Sequence, residues 1–145
     1  MKKIFLLAAM LIAAYVSGQN SPKRTFPTDG VYTGESRSIY TDENYWGVAT
    51  ITITNGEIAQ LDFIILDKSS GETFDEKYEK HFTGNDRYIQ QCRNDYKGVV
   101  AYTKKFREKH RLSEVDAITG ATWSHNLFTD AVKVALNRAQ RGEKK

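Results

Sequence analysis

A single cysteine, Cys92, stands in the whole chain. It rules out an internal disulfide and a cysteine-paired metal, and leaves a thiol redox cycle without a partner in the sequence. Burial is the expectation for such a thiol. Histidine is almost as scarce: His81, His110 and His125 lack ligand-like spacing, so no metal site is expected. The two prolines, Pro22 and Pro27, both fall in one short polar stretch, and the rest of the chain is free of this breaker. An excess of one charge is missing too. The formal net charge is only +3, with lysines and arginines spread among acids, which argues against a nucleic-acid-binding face. Neither a glycine-rich loop of the nucleotide-hydrolase kind nor a Ser/His/Asp set with supporting spacing occurs. The long apolar run, Ile4 to Val16, falls short of the about 20 residues that a membrane helix needs.

That run comes after Met1-Lys2-Lys3 and precedes Ser17-Gly18-Gln19, which is the pattern of a secretory signal peptide with small residues for cleavage. Export is therefore expected, to the periplasm or another extracytoplasmic space, with an uncleaved membrane anchor as the alternative. Losing residues 1–18 removes two lysines and no acids, so the formal charge falls from +3 to +1. The remainder is one domain's worth of chain: a polar linker over 19–28, a folded unit over 29–140 and a basic tail over 141–145.

Within the unit, Asp29-Gly30 opens a strand through Ser36, in which Gly34 signals a bulge or a close neighbour. Trp46 to Thr54 and Glu57 to Leu66 flank Asn55-Gly56, a strong hairpin signal. A two-residue turn there would pair Ile51 with Gln60 and mix the faces. A loop one residue longer, with Gly56 left-handed in a bulge, pairs Ile51 with Ala59, Ala49 with Leu61 and Gly47 with Phe63. The second register is expected, because it gathers Ile51, Ile53, Leu61, Phe63 and Ile65 on one face. Asp67 to Lys80 reads as a charged surface loop leading into a partly ordered stretch. Asp86 is a candidate cap for a short helix through Cys92, and a separate helix from Asn94 or Asp95 to His110 carries Val99, Tyr102 and Phe106 as its apolar stripe. The last helix runs from about Ser124 to Ala139, with Ser124 as its N-cap. Leu127, Ala131, Val134 and Ala135 form its stripe, with Phe128, Val132 and Leu136 beside it. The fold class is α+β: a small antiparallel β-sheet with helices packed on one side.

One stretch stands apart, Asp116-Ala117-Ile118-Thr119-Gly120-Ala121-Thr122. Gly120 and Ala121 leave the backbone approachable, Thr119, Thr122 and Ser124 add hydroxyls, and the helix after them points its positive end back at them, which favours a phosphate. Asp116, Thr119, Gly120, Ala121 and Thr122 match the Asp-x-x-Ser/Thr-Gly-Ala-Thr signature. The stretch resembles the attachment signature of the FMN-binding domain family, found in flavin-carrying subunits of sodium-pumping quinone reductases and related membrane electron-transfer complexes. The opening strands, Asp29 to Gly34 and Gly47 to Ile58, are similar to that family's as well. His125-Asn126 depart from it, standing where small residues are expected.

The resemblance implies FMN as cofactor, with Thr122, Thr119, Gly120, Ala121, Ser124 and Asp116 at its site. It implies a flavin transferase that uses FAD and a divalent metal to esterify the FMN phosphate to Thr122. It also implies a redox partner of the kind found in membrane electron-transfer complexes. Thr122 itself has no base beside it except His125, and an unactivated hydroxyl is a poor nucleophile. No residue is therefore assigned a catalytic role, and an electron-carrying flavoprotein is expected rather than an enzyme with its own substrate. A non-covalent FMN binder and a flavin-free interaction module are the alternatives. Trp46, Trp123 and Tyr32 are available by type as walls for the flavin ring.

Overall fold

The computed structural model describes residues 24–36 and 43–144. The expected leader, most of the expected linker, the connection 37–42 and Lys145 lie outside the described residues. Four strands succeed one another as an antiparallel meander: β1 (Gly30–Glu35), β2 (Tyr45–Thr54), β3 (Glu57–Asp67) and β4 (Glu72–Thr73). Two helices, α1 (Asp86–Lys109) and α2 (Thr122–Arg141), cover one face. α2 lies over β1 and β2, while α1 lies over β3 and against α2. The expected α+β class holds.

Alternation decides which face the helices take. Ala49, Ile51 and Ile53 of β2 and Leu61, Phe63 and Ile65 of β3 are buried, as a period of two requires of a half-covered sheet. Phe128, Ala131, Val132 and Ala135 of α2 meet them, and all four are fully enclosed. Val134, expected in that stripe, is only half-buried. Gly34 is where α2 comes nearest. A Cβ there would sit 2.2 Å from the Ala131 carbonyl oxygen and 2.3 Å from the Ala135 nitrogen. The close neighbour expected at this glycine is thus helix backbone.

The hairpin register differs from both candidates. Asn55 and Gly56 form a two-residue turn with φ of 53° and 71°, the left-handed pair of a type I′ hairpin. Thr54 faces Glu57 and Ile53 faces Ile58. The extra residue is Ala59, inside β3, after which Thr52 faces Gln60, Ile51 faces Leu61 and Ala49 faces Phe63. Asp29 is the physical reason the turn stays short: its carboxylate accepts the Asn55 and Gly56 N–H groups at 2.8 and 2.9 Å. The slip that brings Leu61 to the core is absorbed by a strand bulge instead.

Two further expectations fail. The charged stretch after β3 is folded, not a loop: Asp67, Phe74 and Tyr78 are buried, and Tyr78–Phe82 forms a 3-10 turn. The pair of helices expected over 86–110 is one unbroken helix, capped by Asn85 through the Tyr88 N–H. Phe26, in the segment read as linker, is buried and donates its N–H to the Gly56 carbonyl.

Candidate functional site

The signature segment rests on one face of α1. Residues 91, 95, 98 and 102 recur at three or four positions and so share that face. Tyr102 is buried at the base, where its hydroxyl accepts the Ile118 N–H at 2.9 Å and donates to the Ala121 carbonyl at 3.0 Å. Gln91 donates to the Gly120 carbonyl at 2.9 Å. Gly98 makes room for the Ala121 methyl, which would lie 2.7 Å from a Cβ placed there. The small side chain of Ala121 therefore serves packing against α1, where the sequence suggested clearance for a ligand. Gly120 does supply what only glycine gives cheaply, a backbone with φ of 84°. The turn is shaped by tertiary contacts, so Tyr102→Phe should cost about 1–2 kcal/mol. It should also speed amide exchange at Ile118, a change that exchange measured by NMR would reveal.

The turn delivers Thr122 as the first residue of α2, exposed, its hydroxyl bonded to none of the described residues. Helix α2 starts two residues earlier than expected, and Ser124 is not its cap. Ser124 is fully buried, with its hydroxyl donating to Asp95 Oδ1 at 2.8 Å and sharing the Ala121 carbonyl. Asp95, buried on α1, accepts the Ser124 N–H as well, at 3.2 Å. A carboxylate from the neighbouring helix thus does the capping, which the local sequence could not announce. The Thr122 and Trp123 N–H groups keep no partner among the described residues, which leaves them for an anion at the positive end of the helix. Asp116 and Thr119 are exposed on the approach.

His125 is fixed through one ring nitrogen. Its Nε2 stands 2.7 Å from the Val115 carbonyl, which fixes a proton there, and its ring packs on Tyr102.

Beside Thr122 opens a cleft of about 270 Å³. Its walls come from along the chain: Tyr45 on β2, Phe74 after β4, Phe82 at the end of the 3-10 turn, Tyr88 on α1 and Trp123 on α2. Gln91, Cys92, Asp95 and Glu43 complete it. Trp123 meets Tyr45 and Phe74 at 5.4 Å between ring centroids, and Phe82 stacks on Tyr88 at 5.5 Å. Of the aromatics singled out in the sequence, only Trp123 is there. Tyr32 is sealed in the core, donating to the Thr28 carbonyl, and Trp46 lies on the other sheet face under the Lys68 ammonium. Tyr45, Phe74, Phe82 and Tyr88 escape a reading of the sequence, because they are scattered along a stretch with no periodicity.

Behind the cleft lies Asp67. Tyr78 donates to its carboxylate at 2.7 Å, and the Tyr78 and Tyr45 oxygens are 3.1 Å apart. Burial works to raise the Asp67 pKa, but hydrogen bonds from Ser69, Tyr78 and Ser70 outweigh it and hold the carboxyl well below its usual range. Burial, with help from Tyr45 and Asp67, keeps Tyr78 protonated far above the ordinary phenol value. Burial also pushes the Cys92 thiol up to about 11, aided by Glu79, Asp95 and Asp75. The cysteine is buried as expected and rests as a thiol at neutral pH, not as a reactive thiolate.

Known proteins agree with this geometry. The family described as FMN-binding domain matches residues 44–137. A protein of Clostridium perfringens, solved by crystallography, superposes with a TM-score of 0.57 at 25% identity, over 81% of this chain and 93% of that one. No curated protein matches the chain.

Proposed function

This chain belongs to the FMN-binding domain family, with FMN as its cofactor, and from that premise we propose that it is an exported electron carrier whose flavin is tethered through Thr122. The observation that carries the reading is the pairing of an exposed, uncommitted threonine hydroxyl at the head of α2 with an aromatic cleft next to it. The residues present fit the group. Five aromatic side chains wall a slot for a flat ring, and two spare N–H groups at a helix start suit a phosphate ester.

Tethering forms one bond and breaks one. The Thr122 oxygen attacks the phosphorus that becomes the FMN phosphate, the pyrophosphate bond of FAD breaks, AMP leaves, and the hydroxyl proton passes to the transferase. The protein's own part is presentation: Tyr102 and Gln91 hold the turn, Asp95 holds the first turn of α2, and no described residue competes for the hydroxyl. FMN supplies the electron exchange when bound. An ester in place of reversible binding keeps the cofactor where free flavin is dilute, which matches the leader-like N-terminus.

Intact mass after co-expression with a flavin transferase tests this. Wild type should gain one FMN that survives denaturation, Thr122→Ser should retain it, and Thr122→Ala should gain none. An unmodified wild type, or a flavin still attached in Thr122→Ala, would overturn the tether.

A further inference from the structure

Among the described residues, the side chains of the cleft have almost no hydrogen-bond donor left to give, and the spare Thr122 and Trp123 N–H groups at the head of α2 are the ones assigned to the phosphate. The Trp123 indole N–H is spent on Glu43 at 2.8 Å. Both amide hydrogens of Gln91 are used, on Asp95 at 2.6 Å and on the Gly120 carbonyl at 2.9 Å. Tyr78 gives its proton to Asp67, so the proton between Tyr78 and Tyr45 is that of Tyr45, directed at Tyr78. Among the described side chains of the lining, only the Tyr88 hydroxyl, on a half-exposed side chain, and the weakly donating Cys92 thiol remain. What the polar lining residues still offer are acceptors: the carboxylates of Glu43 and Asp95 and the Gln91 carbonyl oxygen.

An isoalloxazine ring has two unlike edges. The pyrimidine edge carries two carbonyl oxygens and bare ring nitrogens, with one imide N–H between the carbonyls. The opposite edge is a benzene ring with two methyl groups. Placing the acceptor-rich edge in a cleft whose described side chains return mostly acceptors would strip water from its oxygens and replace most of it with nothing, or with a carboxylate. The methylated edge asks for no hydrogen bond and gains from aromatic walls.

We propose that the flavin enters this cleft by its dimethylbenzene edge and keeps its pyrimidine edge toward solvent. The inference rests on the reading of the cleft as the ring site. It has a functional corollary. The ring nitrogens that take up protons on reduction exchange them with water directly, and no protein relay is called for.

Protein made without a transferase is titrated with riboflavin, 3-methylriboflavin and 7,8-didemethylriboflavin, with flavin fluorescence as the readout. Blocking the imide should change affinity by less than twofold, while removing the two methyl groups should weaken binding about tenfold, the loss expected for two buried methyls. Weakening by the imide methyl, or equal affinity of riboflavin and its demethylated analogue, would overturn the orientation. Tyr88→Ala, at an exposed rim position that the fold does not need, separates this from failure of the site itself. It should weaken riboflavin several-fold. If it has no effect, or if no flavin binds, the cleft is not the ring site and the orientation falls with it.

Discussion

Gly34→Ala is expected to lower the unfolding free energy by about 3 kcal/mol, a large share of the 5–15 kcal/mol typical of a domain. The added methyl meets the Ala131 oxygen at 2.2 Å and the Ala135 nitrogen at 2.3 Å. Both atoms belong to helix backbone and neither can rotate away, so α2 must lift from β1 as a body. Relief of that kind opens the tightest part of the core, between Tyr32, Ala49 and Ala135. Gly71→Ala is the control. Its backbone is left-handed, with φ of 74°, but open space surrounds it, so its cost should stay near the roughly 1 kcal/mol of backbone strain. Urea midpoints of the two variants make the comparison. Equal losses would mean that α2 does not press on β1 as described.

The second large effect belongs to Asp67. Asp67→Ala leaves the Tyr78 hydroxyl and two serine hydroxyls without their shared acceptor, and about 3 kcal/mol should be lost. The gap to wild type should depend on pH. The folded carboxyl titrates below its ordinary value of 3.8, so the stabilisation is complete above about pH 4. Under more acid conditions the unfolded chain takes up the proton first, and the advantage drains away until the folded carboxyl is protonated too. Denaturation curves at about pH 7, 4 and 2 should therefore show the two proteins converging. A gap that stays constant into acid would assign the loss to packing alone. Because Tyr78 in turn holds Tyr45, the variant should also loosen one wall of the cleft.

Range separates the features legible in the sequence from those that were not. Strand alternation in 45–66 and the stripe Val99, Tyr102 and Phe106 are settled by neighbours a few residues away, and these could be read. The register could not. Asp29 fixes it from 26 residues upstream of Asn55, and no local pattern reports such a contact. The helix expected over 86–92 was read apart from the one that follows, because the residues joining them are mostly polar. Gln91 and Asp95 serve the turn and the cleft, which breaks the apolar period that would have announced a single α1. Ser124 misled for the opposite reason. A serine two residues into a helix looks like a cap, yet its hydroxyl turns inward to Asp95. The cleft was visible only at Trp123, since Tyr45, Phe74, Phe82 and Tyr88 converge through the meander and not through spacing.

That convergence has a bearing on biogenesis. Walls drawn from residues 43 to 123 do not exist in an extended chain, and the bend presenting Thr122 is moulded by Tyr102 and Gln91 of a helix that must already be formed. On the proposed tether, maturation is thereby ordered: folding comes first and cofactor loading second. A ring lodged between β2 and α1, as proposed, would bind the native state alone, so the loaded protein would resist unfolding by an added increment that the empty one lacks.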